Sequence, residues 1–318
     1  MKHKHTARPK LYISKCIETC ACRYDGQKVN SDFVFKLMKF ADTVTECPET
    51  AIGLGTPRKP VRIVSDDAKM HGLRLIQPET GADFTEKMNA WANSYLENLG
   101  EVDGFVLKSK SPSSGFKDVK IYGKNGMMLT KKGAGFFGGK VPEYYPGIPV
   151  EDEARLLNSA IRDHFLKSIF AIAAFREAEK GGKISGLLKY HSENKLLFMS
   201  YNQVLMRKMG RLLSAHGNKK YTELCAEYKA HLLNILSSMP KVSNTVNTMM
   251  HAFGYFKTGI SAAEKTFFLQ ILEKYQKGKI IPALPLNILK LFAVRFNEEY
   301  LLSQTFFEPY PEELAGGD

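Results

Sequence analysis

Gly104-Phe-Val-Leu-Lys108 opens onto Ser109-Lys-Ser-Pro-Ser-Ser-Gly115, and the fold is read outward from this junction. A short apolar run ending in a polar, turn-forming segment reads as a buried strand leading into a loop. Upstream, Leu11-Tyr-Ile-Ser14 repeats the pattern and ends at Lys15-Cys16, while Thr43-Val-Thr-Glu46 runs into Cys47-Pro48-Glu49. Between these runs the apolar spacing turns helical. Phe33, Leu37 and Phe40 follow a cap at Ser31 or Asp32, and Phe84, Met88, Trp91, Tyr95 and Leu99 form a longer stripe. Val61-Arg-Ile-Val64, Leu73-Arg-Leu-Ile76 and Val119-Lys-Ile-Tyr122 read as further strands. Alternating strands and helices predict an α/β domain with a mainly parallel sheet over residues 1–150, with its site where strands give way to loops.

After Pro149 the pattern is helical alone. Leu157, Ile161, Phe165, Ile169, Ile172 and Phe175 predict a connecting helix within residues 151–182, closed by Gly181-Gly182. Residues 183–318 then read as an all-α domain. Its stripes include Leu205, Met209, Leu212 and Leu213, then Leu224, Tyr228, Leu232 and Ile235. Ser261-Ala-Ala-Glu264 predicts a capping box, and Pro282 and Pro285 are expected to start the last helices.

The 318-residue length suits two domains, and no apolar run reaches the roughly 18–20 residues of a membrane span. The basic N-terminus has no apolar stretch behind it, so a cytoplasmic protein is expected, with no membrane partner. Five cysteines in a chain of this length do not make a disulfide scaffold, which leaves the thiols free to bind metal. The net charge of +12 is concentrated: residues 187–297 hold 16 Lys/Arg against 5 Glu. That asymmetry points to a polyanionic partner, nucleic acid first. Arg207, Lys208 and Arg211 share one short stretch and are the candidate RNA-binding residues. Tyr190, Tyr255 and Phe256 could stack on bases or simply pack a core.

Four cysteines, Cys16, Cys20, Cys22 and Cys47, fall in the α/β half, with Cys16 and Cys47 at strand exits. Cys225, inside a helical stripe, reads as core. There is no C-x-x-C pair, so neither a zinc ribbon nor a thioredoxin-like site is expected. Gly133-Ala-Gly-Phe-Phe-Gly138 follows two lysines instead of a buried strand, which argues against a dinucleotide loop. His191, His231 and His251 lack the i, i+4 pairing of a helical metal site.

Several motifs in order resemble the iron–sulfur-dependent thiouracil desulfurase family. They are Ile13-Ser-Lys-Cys16, Arg23-Tyr-Asp-Gly26, Cys47-Pro-Glu49, Gly53-Leu-Gly-Thr-Pro-Arg58, Lys110-Ser-Pro-Ser-Ser-Gly115 and Pro149-Val-Glu-Asp-Glu-Ala-Arg155. Tyr190-His-Ser-Glu-Asn-Lys195, Asn244-Thr-Val-Asn247 and Phe307-Glu-Pro-Tyr-Pro311 resemble the helical domain often fused to it. The resemblance implies a [4Fe–4S] cluster on three cysteines with one iron open, and a desulfidase acting on thiolated uracil, notably 4-thiouridine in tRNA. It assigns Cys16 and Cys47 as cluster ligands, Glu49 as the carboxylate that activates water, and Ser111 as the serine that hydrogen-bonds substrate. The family's loop carries Cys where this chain has Ser114, so the third ligand is Ser114, Cys20 or Cys22. Two alternatives follow: an RNA-binding descendant with a lost cluster site, or an enzyme for free 2-thiouracil.

Overall fold

A computed structural model describes residues 7–67, 69–217 and 219–316; the basic segment 1–6 lies outside the described residues. The chain divides into two units, one within Arg8–Phe165 and the other within Leu166–Ala315.

The first unit runs β1 (Lys10–Ser14), α1 (Asp32–Met38), β2 (Asp42–Glu46), α2 (Pro48–Ala51), β3 (Arg62–Ser65), β4 (Arg74–Gln77), β5 (Ala82–Asp83), α3 (Thr85–Asn98), β6 (Gly104–Leu107), β7 (Val119–Gly123), β8 (Met128–Gly133), α4 (Val141–Tyr144) and β9 (Val150–Asp152). Four strands form a wholly parallel sheet in the order β2-β1-β6-β9. Strand β1 is central, and its Leu11, Tyr12 and Ile13 are fully buried, which explains its unbroken apolar run. Tyr12 packs between Phe105 and Phe137, with ring centroids 5.6 and 5.2 Å away. Helix α3 turns Met88, Ala92 and Leu96 inward at four-residue spacing. Ser31 caps α1 by accepting from the Val34 N–H.

A second sheet, β5-β4-β3-β7-β8, is antiparallel except for the β3–β7 pair. The parallel expectation therefore holds for one sheet of the two. Strand β8 carries mostly exposed residues on a sheet edge, and β9 has only three residues, so neither shows an apolar signature. Strand β9 also means that the all-helical stretch does not begin at Pro149.

Helix α5 (Ser159–Lys180) is followed by α6 (Ile184–Glu193), α7 (Lys195–Tyr201), α8 (Gln203–Ser214), α9 (Tyr221–Ile235), α10 (Val242–Phe253), α11 (Ala262–Gln276), α12 (Ala283–Arg295) and α13 (Glu299–Ser303). Among the described residues, no helix is long and apolar enough to cross a membrane. Leu157, expected in the first helical stripe, precedes α5 in a 3-10 turn and is 69% exposed. Pro282 caps α12, and Pro285 lies in that helix's first turn, where its missing N–H costs little, so the two prolines start one helix. The expected capping box is formed: Ser261 Oγ accepts from Glu264 N–H at 3.2 Å and Glu264 Oε2 from Ser261 N–H at 2.7 Å. Phe175 stacks on Tyr228 in the helical core, where Cys225 is also buried.

Candidate functional site

Because the four strands of the first sheet run parallel, their C-terminal ends share one edge. Cys16 lies just past β1, Cys47 follows β2, the 108–115 loop follows β6, and Glu153 follows β9. A cavity of about 300 Å³ opens there, lined by Cys16, Cys22, Cys47 and Glu49 with the serine loop and its lysines. Its size is at the lower end for small-molecule sites.

The three thiols face a common environment. Burial, then the neighbouring Cys47, pushes the Cys16 thiol up to about 12, while Lys108 pulls it the other way. Burial, then Cys47 and Cys16, raises Cys22 as well. Cys16 and Cys22 hold their protons because burial disfavours a thiolate, and a second thiolate beside it would add repulsion. Among the described residues, no three His, Cys, Asp or Glu side chains form a ready-made single-ion site.

Glu49 sits in the first turn of α2, behind Cys47 as N-cap, and is buried. Arg58 grips Oε2 through Nε at 2.8 Å and Nη2 at 2.6 Å, and its Nη1 donates to the Cys22 carbonyl at 2.9 Å. The other oxygen, Oε1, accepts from Ser113 Oγ at 2.7 Å. Ser111 and Ser113 hydroxyls are 3.0 Å apart, and Ser111 Oγ accepts from the Ser114 N–H at 3.1 Å. With Ser113 donating to Glu49, Ser111 donates to Ser113, so the carboxylate and two hydroxyls form a chain.

The loop is held from two sides. Glu153 accepts from Ser109 N–H at 2.8 Å and Ser109 Oγ at 2.7 Å, and pairs with Lys108. Behind the loop lies the 133–139 segment. Gly135 N–H donates to Gly115 O, and Phe137 and Gly138 N–H groups donate to Ser113 O. A Cβ on Gly138 would stand 2.1 Å from Ser114 O, so the glycines allow two backbones to touch. That is the use of the Gly133–Gly138 motif.

The structure thus brings Cys16, Cys22, Cys47, Glu49, Ser111 and Ser114 to one cavity. Cys20 is not among the lining residues. Ser111 is bonded within its own loop. Arg58, Ser113, Lys108 and Glu153 were not singled out as site residues from sequence, although Arg58, Ser113 and Glu153 fall within the quoted motifs. In the helical unit Arg207, Lys208 and Arg211 are exposed on α8. Tyr190 and Phe256 are core residues at 5% and 2% exposure, so they cannot stack on a base. Tyr255 is exposed but stacks on Tyr300 at 5.5 Å.

Residues 11–153 match the 2-thiouracil desulfurase family, and residues 195–311 match a family described as a protein of unknown function, DUF1722. Uncharacterized protein YbbK of Bacillus subtilis (strain 168) is 30% identical over 138 residues, covering 40% of this chain and 91% of that one. Uncharacterized protein YbgA of Escherichia coli (strain K12) is 27% identical over 154 residues, covering 48% of this chain and 91% of its own. Among solved structures, the [4Fe-4S]-dependent thiouracil desulfidase TudS is similar at 27% identity with a TM-score of 0.37, covering 47% of this chain and 93% of that one. A thiol-lined site at the edge of a parallel sheet is the class defined by the fold. Through residues 11–153 the chain belongs to the 2-thiouracil desulfurase family.

Proposed function

We propose that this chain is a [4Fe–4S]-dependent desulfidase that replaces the sulfur of thiolated uracil, as 4-thiouridine in tRNA, by oxygen. The observation that carries the reading is the meeting of Cys16, Cys22 and Cys47 with the buried Glu49 around one cavity.

The residues present fit a cluster. Thiolates on a cubane each bind a different iron, so they stand farther apart than ligands of one ion. The raised thiols suit a cationic group, because iron reverses the cost of ionising neighbouring sulfurs. Cys22 supplies the third thiol that Ser114 lacks, and serine is a harder, less acidic donor. Cys16, Cys47 and Cys22 are therefore the ligands of this reading, with Ser114 beside them. When bound, the cluster supplies an open iron with affinity for a C=S sulfur, polarising the carbon.

The exchange of C=S and water for C=O and hydrogen sulfide is redox-neutral, so it needs only proton management. Arg58 occupies Oε2 of Glu49, which leaves Oε1 to take the proton of an attacking water, directly or through Ser113. Ser111, next in the hydroxyl chain, reaches substrate by rotating away from Ser113. The basic helical unit holds the RNA, with Arg207, Lys208 and Arg211 against phosphate.

The test is anaerobic incubation of reconstituted protein with tRNA containing 4-thiouridine. Loss of the thiocarbonyl absorbance with equimolar sulfide supports the reading. Activity on free 2-thiouracil alone would favour the free-base alternative, and neither activity would favour an RNA-binding descendant.

A further inference from the structure

We infer that the outer face of the second sheet, β5-β4-β3-β7-β8, binds an RNA strand, with Arg62, Lys120, Lys131 and Lys132 against phosphates and Tyr122 against a base. This rests on the RNA reading above and places a contact on the α/β unit, where none has been assigned.

The register puts the four cations in one row. Ile63 pairs with Ile121 in the parallel β3–β7 ladder, so Arg62 stands beside Lys120. On the other side Val119 pairs with Gly133 and Ile121 with Thr130, so Lys120 alone faces two residues, Lys131 and Lys132, at a bulge. All four residues are exposed. Val61, Ile63, Val119 and Ile121 flank Arg62 and Lys120 and are buried, so the row lies on the solvent side. Asp66, just after β3, pairs instead with Arg74 at 3.1 Å and Lys124 at 3.3 Å. None of the four enters an ion pair among the described residues.

Like charges directly opposite one another on neighbouring strands destabilise a sheet. Lysines on an edge strand discourage strand pairing, but of these strands only β8 is an edge. Lys120 is one strand in, and Arg62 is on the central strand of five. A row that repels itself across three strands is explained by an anion that neutralises it. The same face carries Tyr122, paired with Val64 and with the Arg62 guanidinium 5.1 Å from its ring centroid. Cations beside an aromatic ring on an open sheet suit a single strand, whose phosphates take the charges and whose unstacked bases take the ring.

Filter binding of tRNA to the reconstituted full chain across a salt series tests this. The triple change Lys120→Gln, Lys131→Gln and Lys132→Gln should weaken binding about tenfold and flatten the slope of log affinity against log salt by about two. Tyr122→Leu should weaken binding by about tenfold with the slope unchanged. Because the lysines repel one another, the triple variant should unfold at the wild-type temperature or above it. Wild-type affinity in that variant overturns the surface and leaves the RNA reading standing. A lowered unfolding temperature assigns the lysines to the fold and overturns it too. Equal losses for tRNA and inorganic polyphosphate, with Tyr122→Leu silent, make the face a general anion patch and overturn its assignment to RNA. If the wild type binds no tRNA, the RNA reading falls and the surface with it.

Discussion

Arg58 holds Glu49 by one carboxylate oxygen, with Nε at 2.8 Å and Nη2 at 2.6 Å from Oε2, and so presents Oε1 to Ser113. The pair is nearly closed to solvent, with side chains 6% and 10% exposed. A two-donor fork on one oxygen fixes the carboxylate plane, and a lysine cannot reproduce it.

Glu49→Gln should therefore keep iron and tRNA binding while slowing desulfurisation by about 100-fold or more, the usual range for losing a general base. Arg58→Lys should also slow turnover with the cluster kept, because Oε1 is no longer aimed. Single-turnover rates beside iron assays decide both. Loss of cluster in Glu49→Gln would assign it a structural role instead.

The exits of β1 and β6 were legible because buried parallel strands announce themselves as apolar runs, and Cys16 follows β1. Strand β2, ahead of Cys47, is a partly exposed edge strand marked instead by its Thr-Val-Thr alternation. The partners of Glu49 and the serine loop were not legible. Arg58 and Glu153 reach their contacts across 9 and 44 residues, and local spacing carries no signal for such pairing. The choice between Cys20 and Cys22 depends on how the turn after β1 closes, with Cys22 buried and Cys20 partly exposed. Strand β8 was missed because Lys131, Lys132 and the exposed Met128 show no alternation. Stacking roles for Tyr190 and Phe256 failed for the opposite reason. Aromatic residues on helical stripes are core, as Tyr190 shows by donating its hydroxyl to the Ala171 carbonyl at 2.8 Å.

Ser114 and Cys22 line the same cavity, which makes one suppressible by the other. Cys22→Ala should strip the cluster, and adding Ser114→Cys to that variant should restore it. Ser114→Cys alone should leave iron content unchanged. A rise in iron in the single variant would assign the third position to residue 114.

The triple change Arg207→Glu, Lys208→Glu and Arg211→Glu alters three exposed side chains of α8. It should weaken tRNA binding by roughly tenfold or more and reduce its salt dependence, with release of sulfur from a free thiolated base nearly unchanged. Filter binding across a salt series measures this. Unaltered binding would remove α8 from the RNA surface.

Burial, then nearby Lys195, lowers His191 from 6.5 to about 4, and its Nδ1 meets the Tyr228 hydroxyl at 2.9 Å. Between those values the unfolded chain binds more protons than the folded one, so stability is full above pH 6.5 and falls as pH drops toward 4. Wild type should lose on the order of 2 kcal/mol more than His191→Gln between pH 7 and pH 4 in denaturant titrations. Parallel losses in the two proteins would show that His191 titrates without strain.

The most direct test of the account is iron and labile sulfide per chain after anaerobic reconstitution. The wild type should hold about four irons with a broad visible absorbance, and Cys20→Ala should match it. Cys16→Ala, Cys22→Ala and Cys47→Ala should each fall close to zero, because two thiolates cannot retain a cubane against solvent. A colourless wild type, or full iron in any of those three variants, would contradict it.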